Sequence, residues 1–269
     1  MKTLTFLLAF HSVLHALDVP FGTPACAGPE LEQADRRFYV VCYDYSLKAP
    51  RWVAEVLKPE YLNAAARRPS HFRRDWDLSR PTATSNDFKG SGFVRGHLAP
   101  ARDFAWSEEA IQSTFLYTNA IPQYPGVNSG RWAQLERRIR ELALDFDYLV
   151  VHTGILCEPS CANIIGPGRV AVPTHMFKAV LAVRGSHLVM FAFIVPNSEH
   201  VSEPLSYFVT TVDDVERRTG LDLFADLDDT QEQPLESATP GKAAATSESD
   251  VSPDHGRRSA GSPGHRNGR

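Results

Sequence analysis

The most informative segment of this 269-residue chain reads Gly90-Ser-Gly-Phe-Val-Arg-Gly-His97-Leu-Ala-Pro-Ala101. Its glycines on both sides of Phe93 predict an extended segment in close contact with another backbone, and that segment ends at His97. Imidazole titrates near neutral pH, so a neutral histidine can take a proton from water. We therefore expect a strand that presents His97 as a general base.

A helix follows shortly after a second polar segment, Thr118-Asn119-Ala-Ile-Pro-Gln123. Apolar residues recur at helical intervals over residues 129–144, at Trp132, Leu135, Ile139 and Leu142. Asn128 opens that helix, and Glu136 and Arg140 follow at steps of four along one flank. One helix can therefore present all three polar side chains to a single pocket.

These residue types fit the hydrolysis of a phosphodiester with one hydrated divalent cation. The reaction needs a base for water, positive charge beside the crowded phosphorus and help for the departing oxygen. Mg²⁺ prefers oxygen ligands and keeps several waters, so the amide oxygen of Asn128 can suffice as its protein ligand, with Mn²⁺ as the other suitable ion. Nearby guanidinium groups bind phosphates in a planar fork.

Each residue also has a purely structural interpretation. A single histidine is more often structural than catalytic. Asn128 can be a helix N-cap, and Glu136 with Arg140 can be an ordinary pair on a helix surface. The order and spacing of all of them together favour the catalytic interpretation.

The combined motifs resemble the DNA/RNA non-specific endonucleases, a family with the ββα-metal fold, and most of all its endonuclease G branch. The family motif Asp-Arg-Gly-His stands here as Val94-Arg95-Gly96-His97. The resemblance covers about residues 20 to 224 and includes four further segments, Tyr39–Asp44, Val172–Lys178, Ala192–Asn197 and Val212–Gly220.

The resemblance implies a role for each matching residue. Its general base falls on His97, its metal ligand on Asn128 and its supporting asparagine on Asn119. It also implies 5′-phosphate products and a homodimer. The other positions that it assigns to catalysis or to phosphate contact are Arg95, Glu136 and Arg140, together with Arg67, Arg68 and Arg73 upstream.

Val94 departs from the family motif, in which an aspartate precedes the arginine. Loss of that carboxylate can change the orientation of neighbouring groups or the local charge. The alternative function is therefore a nuclease-fold module with impaired catalysis that binds nucleic acid or a protein partner. A serine hydrolase is not indicated, because the chain contains no Gly-x-Ser-x-Gly elbow.

The net charge of −4 does not by itself suggest a nucleic-acid partner, but local clusters rather than net charge bind phosphates. Two arginine clusters flank the motifs: Arg67, Arg68, Arg73, Arg74 and Arg80, then Arg131, Arg137, Arg138 and Arg140. Arg131 is a further candidate for nucleic-acid contact because it lies close to Asn128 in sequence. No base-reading motif is evident, so contacts limited to phosphate and sugar predict little sequence preference and cleavage of both DNA and RNA.

Composition divides the chain into three parts. Residues 1–16 carry one lysine and then an apolar run too short to span a membrane, which predicts a signal peptide and secretion, with mitochondria as the alternative location. Residues 17–225 then form one nuclease domain. Residues 226–269, poor in large apolar side chains and net negative, predict a disordered tail. No other segment is a candidate to cross a membrane.

The four cysteines, Cys26, Cys42, Cys157 and Cys161, permit three complete pairings, among which the sequence does not choose. Cys157 and Cys161 can close a small loop in an oxidising compartment. Cys42 lies in an apolar run, which favours a buried free thiol. The Cys-x₃-Cys spacing has no matching second pair of ligands, so zinc is not indicated.

Periodicity predicts an α+β fold with a central antiparallel sheet, to which the resemblance adds a ββα-metal nuclease core. Residues rich in Val, Phe and Tyr predict strands over 37–44, 51–57, 148–154, 170–183 and 187–195. Helical patterns cover residues 60–66, 107–116, 129–144 and 212–219, the last of which is closed by Gly220.

Overall fold

The computed structural model describes residues 17–238. A seven-stranded antiparallel sheet forms its centre in the order β1-β2-β3-β6-β9-β10-β11, and the two-stranded pairs β4-β5 and β7-β8 lie outside it. The strands are β1 Leu31–Asp35, β2 Tyr39–Asp44, β3 Ala49–Leu57, β4 Val94–His97, β5 Ala120–Gln123, β6 Tyr148–Leu156, β7 Ile164–Ile165, β8 Val170–Ala171, β9 His175–Arg184, β10 His187–Pro196 and β11 Val209–Thr210.

The helices are short, apart from one that continues from the β4-β5 hairpin. They are α1 Ser85–Phe88, α2 Glu108–Ser113, α3 Pro125–Val127, α4 Ala133–Ala143, α5 Val212–Thr219 and α6 Asp229–Glu236. A π-helical turn, Asn128–Trp132, joins α3 to α4, and single 3₁₀ turns lie at Pro59–Tyr61, Tyr117–Asn119 and Leu205–Tyr207. The predicted α+β class and its central antiparallel sheet are confirmed.

Apolar side chains cover both faces of the sheet. In β9, Met176 and Val180 face one layer, whereas Phe177 and Leu181 face the other, as strand alternation requires. The first layer includes residues of the β4-β5 hairpin and α4, and the second includes residues of α5 and of the chain that follows it. Burial on both faces explains why these strands read as nearly continuous apolar runs.

A predicted strand and a predicted helix differ from the structure. The single strand expected over residues 170–183 is divided into β8 and β9, because Pro173 between them has no amide hydrogen for a sheet ladder. The helix expected over residues 60–66 is wrong beyond the turn Pro59–Tyr61. Its backbone bonds elsewhere instead, and the Ala66 amide donates to the Ala105 carbonyl at 2.8 Å.

The four cysteines form two disulfides. Cys157 pairs with Cys161, with 4.6 Å between their Cα atoms, which confirms the expected small loop. Cys42 pairs with Cys26 across 5.6 Å, so the prediction of a free thiol is wrong. Cys42 faces the second apolar layer, against which Cys26 packs from the N-terminal segment. The apolar run around Cys42 indicated burial correctly, but it carried no information about which segment covers it.

The prediction of a disordered tail from residue 226 is wrong for residues 226–238. Leu227 is buried and Leu235 packs on the second apolar layer, so an existing apolar surface lets a short polar segment order itself. The carboxylate of Asp228 accepts a hydrogen bond from the Thr230 amide at 3.0 Å and caps α6. Residues 1–16, expected to be a signal peptide, and residues 239–269 lie outside the described residues. Within residues 17–238, no helix is long and apolar enough to cross a membrane.

Candidate active site

The β4-β5 hairpin fixes the backbone of the candidate base. His97 lies opposite Ala120, and Gly96 lies opposite Ile121 in the antiparallel register. A Cβ atom on Gly96 would lie 1.8 Å from the Oε1 atom of Gln123, so a side chain at this position would collide with the buried Gln123 side chain. The glycine of the motif is therefore required for close packing, as its sequence context predicted.

Asn119 binds the backbone of the segment that follows His97. Its Oδ1 atom accepts a hydrogen bond from the Ala99 amide at 2.8 Å. Its Nδ2 atom donates to the carbonyl oxygens of Ala99 and Thr114 at 3.0 and 2.9 Å. The hydrogen bonds of this fully buried side-chain amide thus go to backbone groups. Asn119 therefore positions the backbone that follows His97.

The His97 ring lies in an aromatic pocket. Its centroid is 4.7 Å from the ring of Phe72 and 4.8 Å from the ring of Phe115. Its Nε2 atom is buried and has no hydrogen-bond partner within residues 17–238. Burial, and secondarily the positive charge of Arg68, lower the pKa of His97 to about 3. The imidazole is therefore neutral at physiological pH.

Asn128 is carried on a second arm, the turn between β5 and α4. The buried Asn197 fixes this arm: its Oδ1 atom accepts from the Tyr124 amide at 3.1 Å, and its Nδ2 atom donates to the Pro122 carbonyl at 2.9 Å. The Asn128 amide nitrogen in turn donates to the Tyr124 carbonyl at 3.1 Å. In the described part of the chain, no hydrogen bond engages the half-buried side-chain amide of Asn128.

Lys178 lies near both arms of the site, the segment that follows His97 and the turn that Asn128 opens. It lies in β9 on the face toward α4, and its side chain is almost fully buried. Its Nζ atom donates to Thr153 Oγ1 at 2.7 Å and lies 3.5 Å from the Leu98 carbonyl, next to His97. The same atom is 5.4 Å from the ring centroid of Trp132, in the turn that Asn128 opens. One buried cation therefore contacts both halves of the site.

Acidic side chains surround this lysine. Arg140 pairs with the buried Asp103 at 2.7 Å. Burial raises the pKa of Glu136 to about 7, and the charge of Asp103 adds to the rise, whereas Lys178 and Arg140 oppose it. Burial also raises the pKa of the carboxyl of Glu55, in β3, well above its usual value. Glu136 and Arg140 therefore belong to one buried charge network.

The predicted phosphate-binding arginines fall into two groups. Arg68 lies 5.3 Å above the Phe115 ring, and its charge acts on both His97 and Glu136, which places it beside the candidate base. Arg67, Arg68 and Arg73 line one groove of about 510 Å³.

The other two candidates are placed differently. Arg95 is exposed, with its guanidinium carbon 6.0 Å from the Phe72 ring. Arg131 donates to the Ser202 carbonyl at 3.0 Å and to the side chain of Gln134, so it holds the loop after β10.

Val94, which replaces the motif aspartate, lies on the opposite side of the strand from His97, because residues three apart in a strand point to opposite faces. It stands directly opposite Gln123. Both amide atoms of the Gln123 side chain are buried without a hydrogen-bond partner within the described residues. The valine offers no polar group to these atoms.

The site offers amide rather than clustered carboxylate oxygens for a metal. Among the described residues, the group of His, Cys, Asp and Glu side chains that can meet around an ion is Asp213, Glu216 and Glu236. It involves α5 and α6, on the other face of the sheet. At the hairpin, the side-chain amide of Asn128, which makes no hydrogen bond within the described residues, fits a hard cation that keeps most of its waters. The Nε2 atom of His97, which also has no partner there, fits a role beside such a hydrated ion.

A histidine-bearing hairpin followed by a helix that carries an asparagine defines a ββα-metal nuclease core, and comparisons with known proteins agree. The family model of the DNA/RNA non-specific endonucleases matches residues 21–230. Human mitochondrial endonuclease G is 36% identical over 215 residues, covering 75% of this chain and 71% of that protein. Nuclease C1 of Cunninghamella echinulata var. echinulata is 36% identical over 224 residues, covering 77% and 87%.

A crystal structure of the complex of EndoG with EndoGI provides a structural counterpart. Its chain superposes with a TM-score of 0.70 at 29% sequence identity, covering 78% of this chain and 91% of that chain. The protein belongs to the DNA/RNA non-specific endonuclease family and is a metal-dependent nuclease.

Sequence reasoning assigned no role to four residues of the site: Glu55, Asp103, Lys178 and Asn197. Lys178 and Asn197 stand at the ends of two segments that carry the family resemblance. A further signal was available for Lys178, because a lysine at an inward position of an apolar strand requires buried partners.

Proposed function

We propose that this protein hydrolyses phosphodiester bonds of DNA and RNA with Mg²⁺, or with Mn²⁺ as the second suitable ion, and leaves 5′-phosphate products. The observation that carries the proposal is the buried, neutral His97, whose Nε2 atom has no hydrogen-bond partner within residues 17–238. A neutral imidazole near the positive charge of Arg68 is suited to take a proton from water beside a bound phosphate.

Substrate binding itself increases the basicity of His97. Burial is the main cause of the lowered pKa of His97, and the charge of Arg68 adds to it. A phosphate anion bound at this guanidinium offsets that charge, so the pKa of His97 rises when a substrate is present. The base is therefore strengthened in the complex in which it has to act.

Asn128 would hold the ion, because its side-chain amide is half-buried and makes no hydrogen bond within the described residues. The ion, when bound, supplies positive charge at the phosphorus and at the leaving 3′-oxygen. Arg140 stays fixed by Asp103, whereas Glu136, with a pKa raised to about 7, changes its charge in the neutral range. Arg68 and Arg95 are left to bind phosphate.

Weak sequence preference follows from the kind of contacts available. The candidate contacts come from arginine side chains, which bind the phosphates that DNA and RNA share. These arginines are Arg67, Arg68, Arg73, Arg95 and Arg131, of which Arg131 is also bound to the Ser202 carbonyl.

A plasmid-nicking assay with Mg²⁺ and with EDTA tests the proposal. His97→Ala should reduce cleavage by about 10²- to 10⁴-fold, because general acid–base catalysis contributes that much. The matched control is His187→Ala, an exposed histidine at the start of β10, which should cleave at the wild-type rate. Cleavage by His97→Ala within a few-fold of wild type would remove this residue from the mechanism.

The second candidate function is a module with impaired catalysis that binds nucleic acid or a protein partner, and Val94 is the observation in its favour. Position 94 faces away from His97, so we expect Val94 to reduce the rate rather than abolish it. Val94→Asp should then raise the nicking rate of an already active enzyme. Absence of any metal-dependent nicking by the wild-type protein would favour the second candidate.

Secretion is the location that we propose, with mitochondria as the alternative. Two disulfides support an oxidising compartment. N-terminal sequencing of exported protein should find a start near Leu17, whereas an intact Met1 in the cytosol or a product imported into mitochondria would contradict secretion. We also propose a homodimer, on the strength of the family resemblance, and light scattering tests it.

A further inference from the structure

We propose that a second groove, the Trp76 groove, binds an unpaired stretch of the nucleic-acid substrate and stacks one of its bases on Trp76. The groove has a volume of about 640 Å³ and includes Phe38, Arg73, Arg74, Trp76 and Gln112 in its lining. This inference rests on the proposed nuclease function and extends it to a class of substrate. The ligand is a strand whose bases are free to stack.

Trp76 is displayed to solvent with a cation on one face. Its side chain is 75% exposed, and the guanidinium carbon of Arg74 lies 4.1 Å from its ring centroid. Single exposed apolar residues are common on protein surfaces. An indole with an arginine stacked on one side and an open face on the other is different, because it matches the aromatic and cationic partners that stack nucleic-acid bases.

The backbone around Trp76 is firmly anchored. On one side, the Arg73 amide donates to the Phe115 carbonyl at 2.7 Å, and the Arg73 carbonyl accepts from the Tyr117 amide at 3.0 Å. Next to Trp76 itself, the buried carboxylate of Asp75 accepts from the Thr118 hydroxyl at 2.6 Å. A platform held in place before binding loses little conformational freedom when a ligand arrives.

The groove lining carries four arginines and four carboxylates, and the arginines without a carboxylate partner among the described residues are the candidates for phosphate contact. Each carboxylate in its lining already has a partner within the described residues. The pairs are Asp75 and Asp77 with Arg36 at 2.6 and 2.9 Å, Glu109 with Arg37 at 2.5 Å, and Asp35 with the Arg37 amide at 2.6 Å. Arg73 and Arg74 are therefore the cations of the lining for which no carboxylate partner is found in residues 17–238. Phosphates provide the opposite charge.

The Trp76 groove adjoins the groove of the predicted phosphate-binding arginines. Arg73 and Gln112 line both this groove and the neighbouring one that contains Arg68. Arg68 lies above Phe115, whose ring packs against His97. A strand with its reacting phosphate at His97 can therefore run past Arg68 and Arg73 to Trp76.

This arrangement selects for unpaired segments. Bases in a duplex are stacked on each other and offer no open face to Trp76, whereas a single strand, a gap or an RNA loop does. We expect such substrates to gain affinity from the Trp76 groove and continuous duplexes to gain none.

The test measures binding in EDTA, so that the nucleic acid is not cleaved. A fluorescently labelled oligothymidylate of about 16 nucleotides serves as the single strand, and a hairpin-free duplex of equal length as the comparison. Trp76→Ala should weaken single-strand binding at least about five-fold, Trp76→Phe should retain most of the affinity, and duplex binding should not change. Arg74→Ala should reduce the slope of log affinity against log salt by about 0.7, whereas Trp76→Ala should leave the slope unaltered.

Tyr207→Ala is the matched control, because Tyr207 is 72% exposed and lies outside the Trp76 groove. It should bind both probes as the wild type does. Unchanged single-strand affinity in Trp76→Ala, or equal losses for strand and duplex, would overturn the proposal. Binding in EDTA does not depend on catalysis, whereas nicking by His97→Ala tests catalysis directly, so the two proposals fail separately.

Discussion

Asn119 and Ala99 are joined by two hydrogen bonds immediately after the candidate base in the chain. The Oδ1 atom of Asn119 accepts from the Ala99 amide at 2.8 Å, and its Nδ2 atom donates to the Ala99 carbonyl at 3.0 Å. The same nitrogen donates to the Thr114 carbonyl at 2.9 Å. One side chain thus ties the strand that carries His97 to the segment after α2, and Asn119 is a positioning residue.

Asn119→Ala should lower both stability and activity. It removes three hydrogen bonds and leaves buried backbone groups without partners, each of which costs about 1–3 kcal/mol, so we expect a loss of roughly 3 kcal/mol in the free energy of unfolding. Urea denaturation measures the loss. At a temperature where the variant is fully folded, kcat should still be reduced. Asn163→Ala, at an exposed position, is the control. Equal urea midpoints for the two variants would contradict a stabilising role of the Asn119 hydrogen bonds.

Asn128→Ala should lose metal affinity and most activity, with partial recovery at high Mg²⁺. The physical reason is that the proposal gives the ion a single protein ligand, so its removal leaves only water and substrate oxygens. Isothermal titration calorimetry with Mg²⁺ measures the affinity. Ser129→Ala, which removes only a hydroxyl bonded to the Pro125 carbonyl, serves as the control. If the affinity of Asn128→Ala equals that of wild type, the ligand lies elsewhere.

The sequence indicated the elements that carry the candidate residues where these residues are close together in the chain. His97, Asn119, Asn128, Glu136 and Arg140 fall within residues 97–140, and strand and helix periodicity indicated the strand before His97 and the helix after Asn128. The details of that stretch were less predictable. The helix expected from residue 129 begins as a π-helical turn, with non-helical backbone angles at Gly130, and becomes regular at Ala133.

Residues that reach the site from distant strands were not predictable by the same reasoning. Lys178 and Asn197 lie far along the chain from His97, and only the pairing order of β6, β9 and β10 brings them under the hairpin and α4. Periodicity indicates which face of a strand is buried but not which polar group meets it there. The pairing of Cys26 with Cys42 escaped prediction for the same reason.

Glu136 should make stability depend on pH in a defined direction. Burial raises its pKa from about 4.5 to about 7, so between these values the folded state keeps a proton that the unfolded state releases. Stability from this group therefore falls as pH rises through that range, by at most about 3 kcal/mol. Glu136→Gln lacks the titration, so its stability relative to wild type should increase from pH 5 to pH 8.

Urea denaturation of both proteins at the two pH values measures this effect. The buried histidines His97 and His152 act in the opposite direction. Their pKa values are lowered to about 3, so the protein loses the stability that they contribute as pH falls below about 6.5. They are the same in both proteins, so their effect cancels in the difference. Glu141→Gln, on the outer part of α4, is the control. A difference between Glu136→Gln and wild type that is constant with pH would contradict the assigned pKa.

Truncation should show where the folded domain ends. Leu227 is buried and Leu235 packs on the second apolar layer, and burying one leucine is worth about 1.5–3 kcal/mol before the cost of ordering the chain. Truncation after Ala225 should therefore lower the Tm by several degrees, whereas truncation after Ala238 should leave it unchanged. Differential scanning calorimetry of the two products decides. Equal Tm values for both would show that α6 does not contribute to the fold.

The same pair of truncations tests where the negative charge acts. Five of the acidic residues beyond Ala225 lie within residues 226–238, whereas residues 239–269 carry five basic and three acidic side chains. An acidic tail that competes with nucleic acid is therefore not expected from the terminal segment. Truncation after Ala238 should leave nicking at low salt equal or slightly lower, because it removes net positive charge. A clear increase in activity, fading as salt is added, would show that the terminal segment inhibits after all.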